Sequence, residues 1–226
     1  GDAAQHLGRV LRARVGDIAT LFNGNGQEFL ATITGLSKRE IVLTLGEASS
    51  PGTESSVQTV LGLCLSKGDR FDWAVQKATE LGVGAIVPLY SERVDFSIPE
   101  DRTAKRVQHW QQVPIGASEQ CGRVRVPSVA APTSLANWTG AVSADEKWVL
   151  HCADVAGNTP ASRNAEAPVS AALLIGPEGG LTEGEISTAT DHGFIPLQLG
   201  PRVLRTETAP VVALTALSVQ WGEMLG

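Results

Sequence analysis

The chain is poor in the residues that build several familiar kinds of site. Its 226 residues include 3 cysteines, 1 methionine and 1 tyrosine, with only 5% aromatics. Cys64, Cys121 and Cys152 are scattered and odd in number, which argues against a disulfide framework and fits a reducing compartment. No CxxC or HxxxH pair occurs, and His151 beside Cys152 has no partner at zinc spacing, so no metal is expected. No apolar run approaches the roughly 18 residues of a membrane span. No charged-then-apolar leader opens the chain. The expectation is a soluble, cytoplasmic protein with no membrane partner.

A positive net charge is also lacking, since the formal value is −6. Its distribution matters more than its sum. Residues 1–125 hold 14 of the 18 Lys and Arg residues against 14 acids, whereas residues 126–226 hold 4 against 10. Basic groups are therefore concentrated in the first half, where local patches for a polyanion can form. Charge alone reads equally as a mixed, solvated surface.

What is present divides into two styles of pattern. Residues 7–46 are short β-branched and apolar bursts between turn signals, with strands expected over Ile18–Phe22, Glu28–Thr34 and Glu40–Leu45. Asn25-Gly26 suits a tight hairpin between the first two. This predicts a small β-barrel or compact sheet module over residues 1–50. The polar, Pro- and Gly-bearing stretch 47–56 reads as a linker.

From residue 57 the pattern becomes α/β. An apolar strand, Val57–Leu65, precedes a helix whose Phe71, Ala74, Val75, Ala78 and Leu81 recur at spacings of three and four. Gly84–Leu89 resumes as a buried strand, so the three elements imply a parallel β-α-β unit. A second helix is expected around Arg102–Gln120, kinked or split at Pro114. Trp148–His151 and Ala171–Ile175 read as further buried strands, with a polar loop over 153–168 between them.

The last part of the chain carries the chemistry. The strand Ala171–Ile175 runs into Gly176-Pro177-Glu178-Gly179-Gly180, and Thr182 with Glu185 has capping-box spacing for a following helix. Loops that lead from strand ends into helices are where open α/β sheets bind ligands. Glycines there let backbone approach a flat ligand closely. Taken alone, this loop is equally a tight structural turn. The arrangement recurs, however: a short strand, Pro196–Leu199, enters the loop 200–205, and a final apolar helix opens near Thr206 or Thr208 as cap, with Pro210 in its first turn. Neither loop matches GxGxxG or a phosphate loop. Two ligand-approach loops favour an enzyme over the competing readings, a non-catalytic RNA-binding protein or an α/β enzyme for another nucleotide cofactor.

The segments LLIGPEGGLTEGE and LQLGPRVLRTETA closely resemble the paired cofactor loops of the ribosomal RNA small-subunit methyltransferase E family, of the SPOUT class. SKGDRFDWAVQKATELGVGAIVPLYSERV and ASEQCGRVRVP resemble its earlier motifs, and HLGRVLRARVGD resembles its PUA-like RNA-binding module. The resemblance implies a SPOUT-type knotted parallel sheet flanked by helices over 57–226, with a C-terminal trefoil knot, behind an N-terminal PUA-like β-barrel over 1–50. It implies S-adenosyl-L-methionine (SAM) as cofactor, methylation of uridine N3 in 16S ribosomal RNA, the assembled small subunit as partner, and a homodimer.

By the same resemblance, backbone groups of Ile175, Gly176, Leu199 and Leu204 hold adenine and ribose, while Gly179 and Gly200 allow close approach. Leu174, Pro177, Glu178, Val203, Arg205, Thr206, Thr208 and Ala209 complete the expected cofactor set. Arg205 is the candidate for stabilising the uracil anion, and Glu207 for orienting the base or accepting its proton. A mutual ion pair between Arg205 and Glu207 is the competing role. RNA phosphates are expected on Arg9, Arg12 and Arg14 in the small module, and on Lys67, Arg70, Lys77, Arg93, Arg123 and Arg125 in the larger one.

Overall fold

Three antiparallel strands, β1 (Ile18–Phe22), β2 (Glu28–Leu36) and β3 (Ile41–Ser49), form the first sheet in the order β1-β2-β3. The computed structural model describes residues 13–37, 40–151 and 167–224. The chain divides into two compact units, 1–54 and 55–226. In the first unit, Asn25 and Gly26 lie within a hairpin loop spanning 23–27, wider than a two-residue turn. The Asn23 Oδ1 atom organises that loop by accepting from the Asn25 and Gln27 N–H groups at 3.0 and 3.3 Å. β3 continues to Ser49, pairing Ala48 with Phe29, so the first residues of the expected linker are strand.

The second unit is a parallel sheet in the order β10-β8-β9-β4-β5-β6. Its strands are β4 (Gln58–Cys64), β5 (Ala85–Tyr90), β6 (Ser128–Val129), β7 (Thr133–Ser134), β8 (Glu146–Leu150), β9 (Ser170–Ile175) and β10 (Ile195–Leu197), with β7 also pairing β5. The helices are α1 (Arg70–Glu80), α2 (Glu100–Cys121), α3 (Leu135–Ala141), α4 (Glu183–Asp191) and α5 (Thr208–Gln220). This is the expected α/β architecture. The segment 153–168 falls almost wholly outside the described residues.

Strand alternation explains why both faces of the sheet are covered. Leu61, Leu63, Leu173 and Ile175 face a core shared with Phe71, Val75, Trp110, Ala213 and Leu217 from α1, α2 and α5. Cys64, Ala172 and Leu174 face a second core with Leu135, Trp138, Ala189 and Phe194 around α3 and α4. Gly62 belongs to that second face because a Cβ there would lie 2.5 Å from the Trp138 indole. Burial also pushes the Cys64 thiol up to about 12, so it is inert at neutral pH.

α2 passes through Pro114 without splitting. Trp110, Pro114, Ala117 and Ser118 are its buried stripe, and that packing offsets the one backbone bond the proline removes. The end of the chain is fastened to the start of this unit. Glu223 accepts from the Ser55 Oγ, the Ser56 N–H and Oγ, and the Val57 N–H, at 2.6–3.2 Å.

Candidate active site

The strand order determines where a ligand can enter. β4 leads on to β5 on one side, while its other neighbour, the much later β9, leads on to β10 on the opposite side, so the connections from these two adjacent strands run in opposite directions. Such a reversal opens a crevice at the carboxyl ends of the strands. A cleft of about 470 Å³ lies there, a volume ordinary for a cofactor-sized ligand. Its walls come from the residues that follow β4, β8, β9 and β10.

The first wall is the glycine loop after β9. Gly176, Pro177, Glu178 and Gly180 line the cleft, and Gly180 takes a φ of 71°, which a side chain would strain. The loop is held from outside. Arg70 Nη1 meets Glu178 Oε1 at 2.8 Å, and Arg93 Nη1 donates to the Gly179 carbonyl at 2.6 Å. The expected capping box is complete: Thr182 Oγ1 accepts from the Glu185 N–H, and Glu185 Oε2 accepts from the Thr182 N–H at 2.9 Å. The other oxygen of buried Glu185 accepts from the Glu92 N–H at 2.8 Å, tying this helix start to the end of β5.

The opposite wall is the loop after β10, through Val203, Leu204, Arg205, Thr206, Glu207 and Ala209. Gly200 turns it with a φ of 85°. Neither Thr206 nor Thr208 caps α5, whose N-cap is Glu207 with no side-chain cap bond. Thr206 is buried instead, and its hydroxyl donates to the Gly176 carbonyl at 3.3 Å. The Arg205 carbonyl accepts the Thr208 and Ala209 N–H groups, both at 2.9 Å, which starts the helix without a side-chain cap. Among the described residues no ion pair joins Arg205 to Glu207, so both side chains remain available to the cleft.

Of the expected cofactor residues, Ile175, Gly176, Pro177, Glu178, Val203, Leu204, Arg205, Thr206 and Ala209 thus share one cleft. Leu174 does not, because strand alternation turns it into the opposite core. Leu199 packs against the main core, Gly179 backs onto Arg93, and Gly200 and Thr208 lie outside the walls. Leu150, His151 and Leu181 also line the cleft and were absent from the sequence-derived set. The first two end β8, and the rule that ligands gather at strand ends is the signal that points to them.

The basic residues fare differently. Arg9 and Arg12 lie outside the described residues. Arg14 and Arg125 are exposed. Arg70 is a wall of the cleft, Lys67 pairs with Asp95 at 2.6 Å, and Lys77 pairs with Glu80 at 2.7 Å. Its bond to Lys67 holds the Asp95 carboxyl below the usual range. Arg123 is corrected outright. It is 6% exposed and donates to the Thr79 and Val83 carbonyls at 2.9 and 2.8 Å, so it braces the end of α1 rather than facing phosphate.

The apolar walls with Leu150, Ile175, Leu181 and Leu204 suit a flat heterocycle, and the charged side chains of Arg70, Glu178, Arg205 and Glu207 suit a ligand bearing both signs of charge. Among the described residues no group of three or more His, Cys, Asp or Glu side chains is placed to hold a metal. No helix among them is long and apolar enough to cross a membrane.

Residues 53–218 match the family described as RNA methyltransferase domain, and residues 1–46 match that described as RNA methyltransferase PUA domain. The chain is 32% identical over 220 residues to ribosomal RNA small subunit methyltransferase E of Buchnera aphidicola (from Acyrthosiphon pisum), covering 96% of this chain and 85% of that protein. It is 30% identical to the Bacillus subtilis protein of the same name, over 97% and 88% of the two chains. Among solved structures, the Neisseria gonorrhoeae enzyme of that name bound to S-adenosyl methionine superimposes with a TM-score of 0.87 at 34% identity, over 97% and 90%. A Legionella pneumophila protein in complex with the bound cofactor SAM gives 0.87 at 39%, over 96% and 89%.

Proposed function

Because the chain belongs to the ribosomal RNA small-subunit methyltransferase E family, we propose that it transfers a methyl group from S-adenosyl-L-methionine to N3 of a uridine in 16S ribosomal RNA. The observation that carries this reading is the single cleft walled by the glycine loop and the arginine-bearing loop, joined by the Thr206–Gly176 hydrogen bond.

The residues present fit the cofactor. Ile175, Leu150 and Leu204 offer an apolar bed for adenine, while Glu178 and Arg70 are placed to complement its charged amino-acid part. When bound, the sulfonium supplies an electrophilic methyl group, so neither a metal nor a covalent enzyme intermediate is required. The protein must align the base and manage one proton. Uracil N3 becomes nucleophilic by losing its proton, and the resulting charge spreads to the flanking carbonyl oxygens. Exposed Arg205 stabilises that charge as it develops, and half-buried Glu207 accepts the proton or orients the base.

Residues 1–50 act as the PUA-like RNA-binding module, with Arg9, Arg12 and Arg14 on phosphates, and residues 57–226 as the methyltransferase domain. Family membership further supports a trefoil knot formed by the last two loops, a homodimer, and action in the cytoplasm on assembled small subunits.

Two measurements test this. Calorimetry with SAM is expected to give saturable binding; no binding, with another nucleotide bound instead, removes the reading. Labelled cofactor is then incubated with small subunits and with naked 16S RNA, and the label is mapped. Label on an atom other than uridine N3 overturns the assigned chemistry.

A further inference from the structure

A second recess, of about 780 Å³, is lined in part by Leu65 and Ser66, at the start of the loop that joins β4 to α1. That loop serves both cavities, giving Ser66 to the recess and the adjoining Arg70 to the cofactor cleft. One loop at the carboxyl end of β4 thus borders both cavities, and exposed Lys67 lies along it between Ser66 and Arg70.

The recess has an apolar floor and a cationic rim. Phe96 and Ile98, from the segment between β5 and α2, are half-buried against the main core and form much of the floor. Arg102, Lys105 and Arg106 stand exposed on the rim. Their spacing of three and four residues along α2 places them on one helical face. Arg106 lies over the Trp110 ring with its guanidinium carbon 5.1 Å from the centroid. Among the described residues none of the three cations has a carboxylate partner, and no Asp or Glu lines the recess. Of the nearby acids, Asp72 bonds His109 at 2.8 Å and Asp95 bonds Lys67 at 2.6 Å, while Glu100 and Asp101 lie exposed in the first turn of α2 and, among the described residues, form no ion pair with the three cations.

Three like charges on one helix face repel one another, and among the described residues no ion pair holds any of them. Their complement is a chain of anions. The floor adds a second requirement, because a free phosphate gains nothing from Phe96 and Ile98. A single-stranded polynucleotide satisfies both, with phosphates on the cations and a base on the apolar surface. We propose that this recess holds a nucleotide of the substrate RNA strand flanking the methylated uridine, its base against Phe96 and Ile98 and its phosphates on Arg102, Lys105 and Arg106. The strand then crosses the β4–α1 loop past Lys67 to deliver the target base to the cleft. This rests on the methyltransferase reading given above.

The test compares the intact chain with R102Q/K105Q/R106Q, which keeps helix-forming side chains of similar length. Small ribosomal subunits lacking the modification are the substrate. SAM affinity is expected to stay within about twofold, because the cleft is untouched. The methylation kcat/KM should fall by about tenfold or more, carried by KM, and its logarithmic salt dependence should flatten by roughly two, at about 0.7 per lost phosphate contact. Phe96→Leu removes the ring but keeps apolar volume, and is expected to raise KM with the salt slope unchanged. An unchanged KM and slope in the triple variant overturn the proposal. So does a change in sedimentation, which assigns the recess to a second copy of the chain, or competition by an acidic peptide in place of RNA. A wild-type chain that binds SAM yet methylates no subunit overturns the substrate reading itself, and this proposal falls with it.

Discussion

The Thr206 hydroxyl donates to the Gly176 carbonyl at 3.3 Å, joining two loops 30 residues apart in the chain. Both groups belong to the walls of the same cleft. Thr206→Val keeps the shape and removes the donor, leaving a carbonyl without that partner. A loss of about 0.5–1.5 kcal/mol corresponds to a rise in the SAM dissociation constant of roughly two- to tenfold. Calorimetry checks it, and an unchanged constant shows that the loops hold their spacing without this bond.

Arg205 differs in kind, because its side chain is exposed and makes no ion pair among the described residues. Its role lies in the transition state. Arg205→Ala is expected to slow methyl transfer by about 10²- to 10³-fold, as for loss of one charge-stabilising donor. Cofactor affinity should change far less. Single-turnover rates alongside calorimetry separate the two, and equal losses in both would assign Arg205 to cofactor binding instead.

Glu223 gathers hydrogen bonds from Ser55, Ser56 and Val57 on one carboxylate. Glu223→Ala leaves several donors near the start of β4 unsatisfied and should cost about 1–3 kcal/mol of stability. Denaturant melts of the two chains measure it. Methyl transfer per folded molecule is expected to persist, since this latch makes no part of the cleft.

Cys64 gives a pH signature. Its thiol is raised from 9.0 to about 12, chiefly by burial and further by the nearby Glu185 charge. The folded value lies above the unfolded one, so the contribution is complete below pH 9 and fades as the pH climbs towards 12. Within that window the loss is about 1.4 kcal/mol per pH unit at most. Cys64→Ala should flatten the decline relative to the wild-type chain in denaturant melts taken at several pH values. Parallel declines would contradict the assignment. Thiol reagents at neutral pH should also leave Cys64 unlabelled in the native protein.

Local signals were the legible ones. The spacing of Phe71, Ala74, Val75 and Ala78 located α1, and the Thr182–Glu185 pair located the start of α4, because periodicity and caps depend on neighbours within a turn or two. The glycine and arginine loops emerged from the sequence as a pair, and they do share walls. Individual arginines were not legible. Arg123 turns inward to the Thr79 and Val83 carbonyls, some 40 residues earlier in the chain, and nothing within a few residues of it records those partners. Thr206 looked like a cap for the same reason: its partner is Gly176, distant in sequence. His151 reads in the sequence only as a histidine without zinc-spaced partners, because its place in the cleft follows only once β8 lies beside β9.

The cleft takes its walls from residue 70, residues 150–151, residues 175–181 and residues 203–209. During synthesis, therefore, no fragment emerging from the ribosome possesses the pocket until nearly all of this unit has been translated. Cofactor affinity then serves as a stringent gauge of completed folding, and a newly made chain is unable to methylate anything before its final helix has docked.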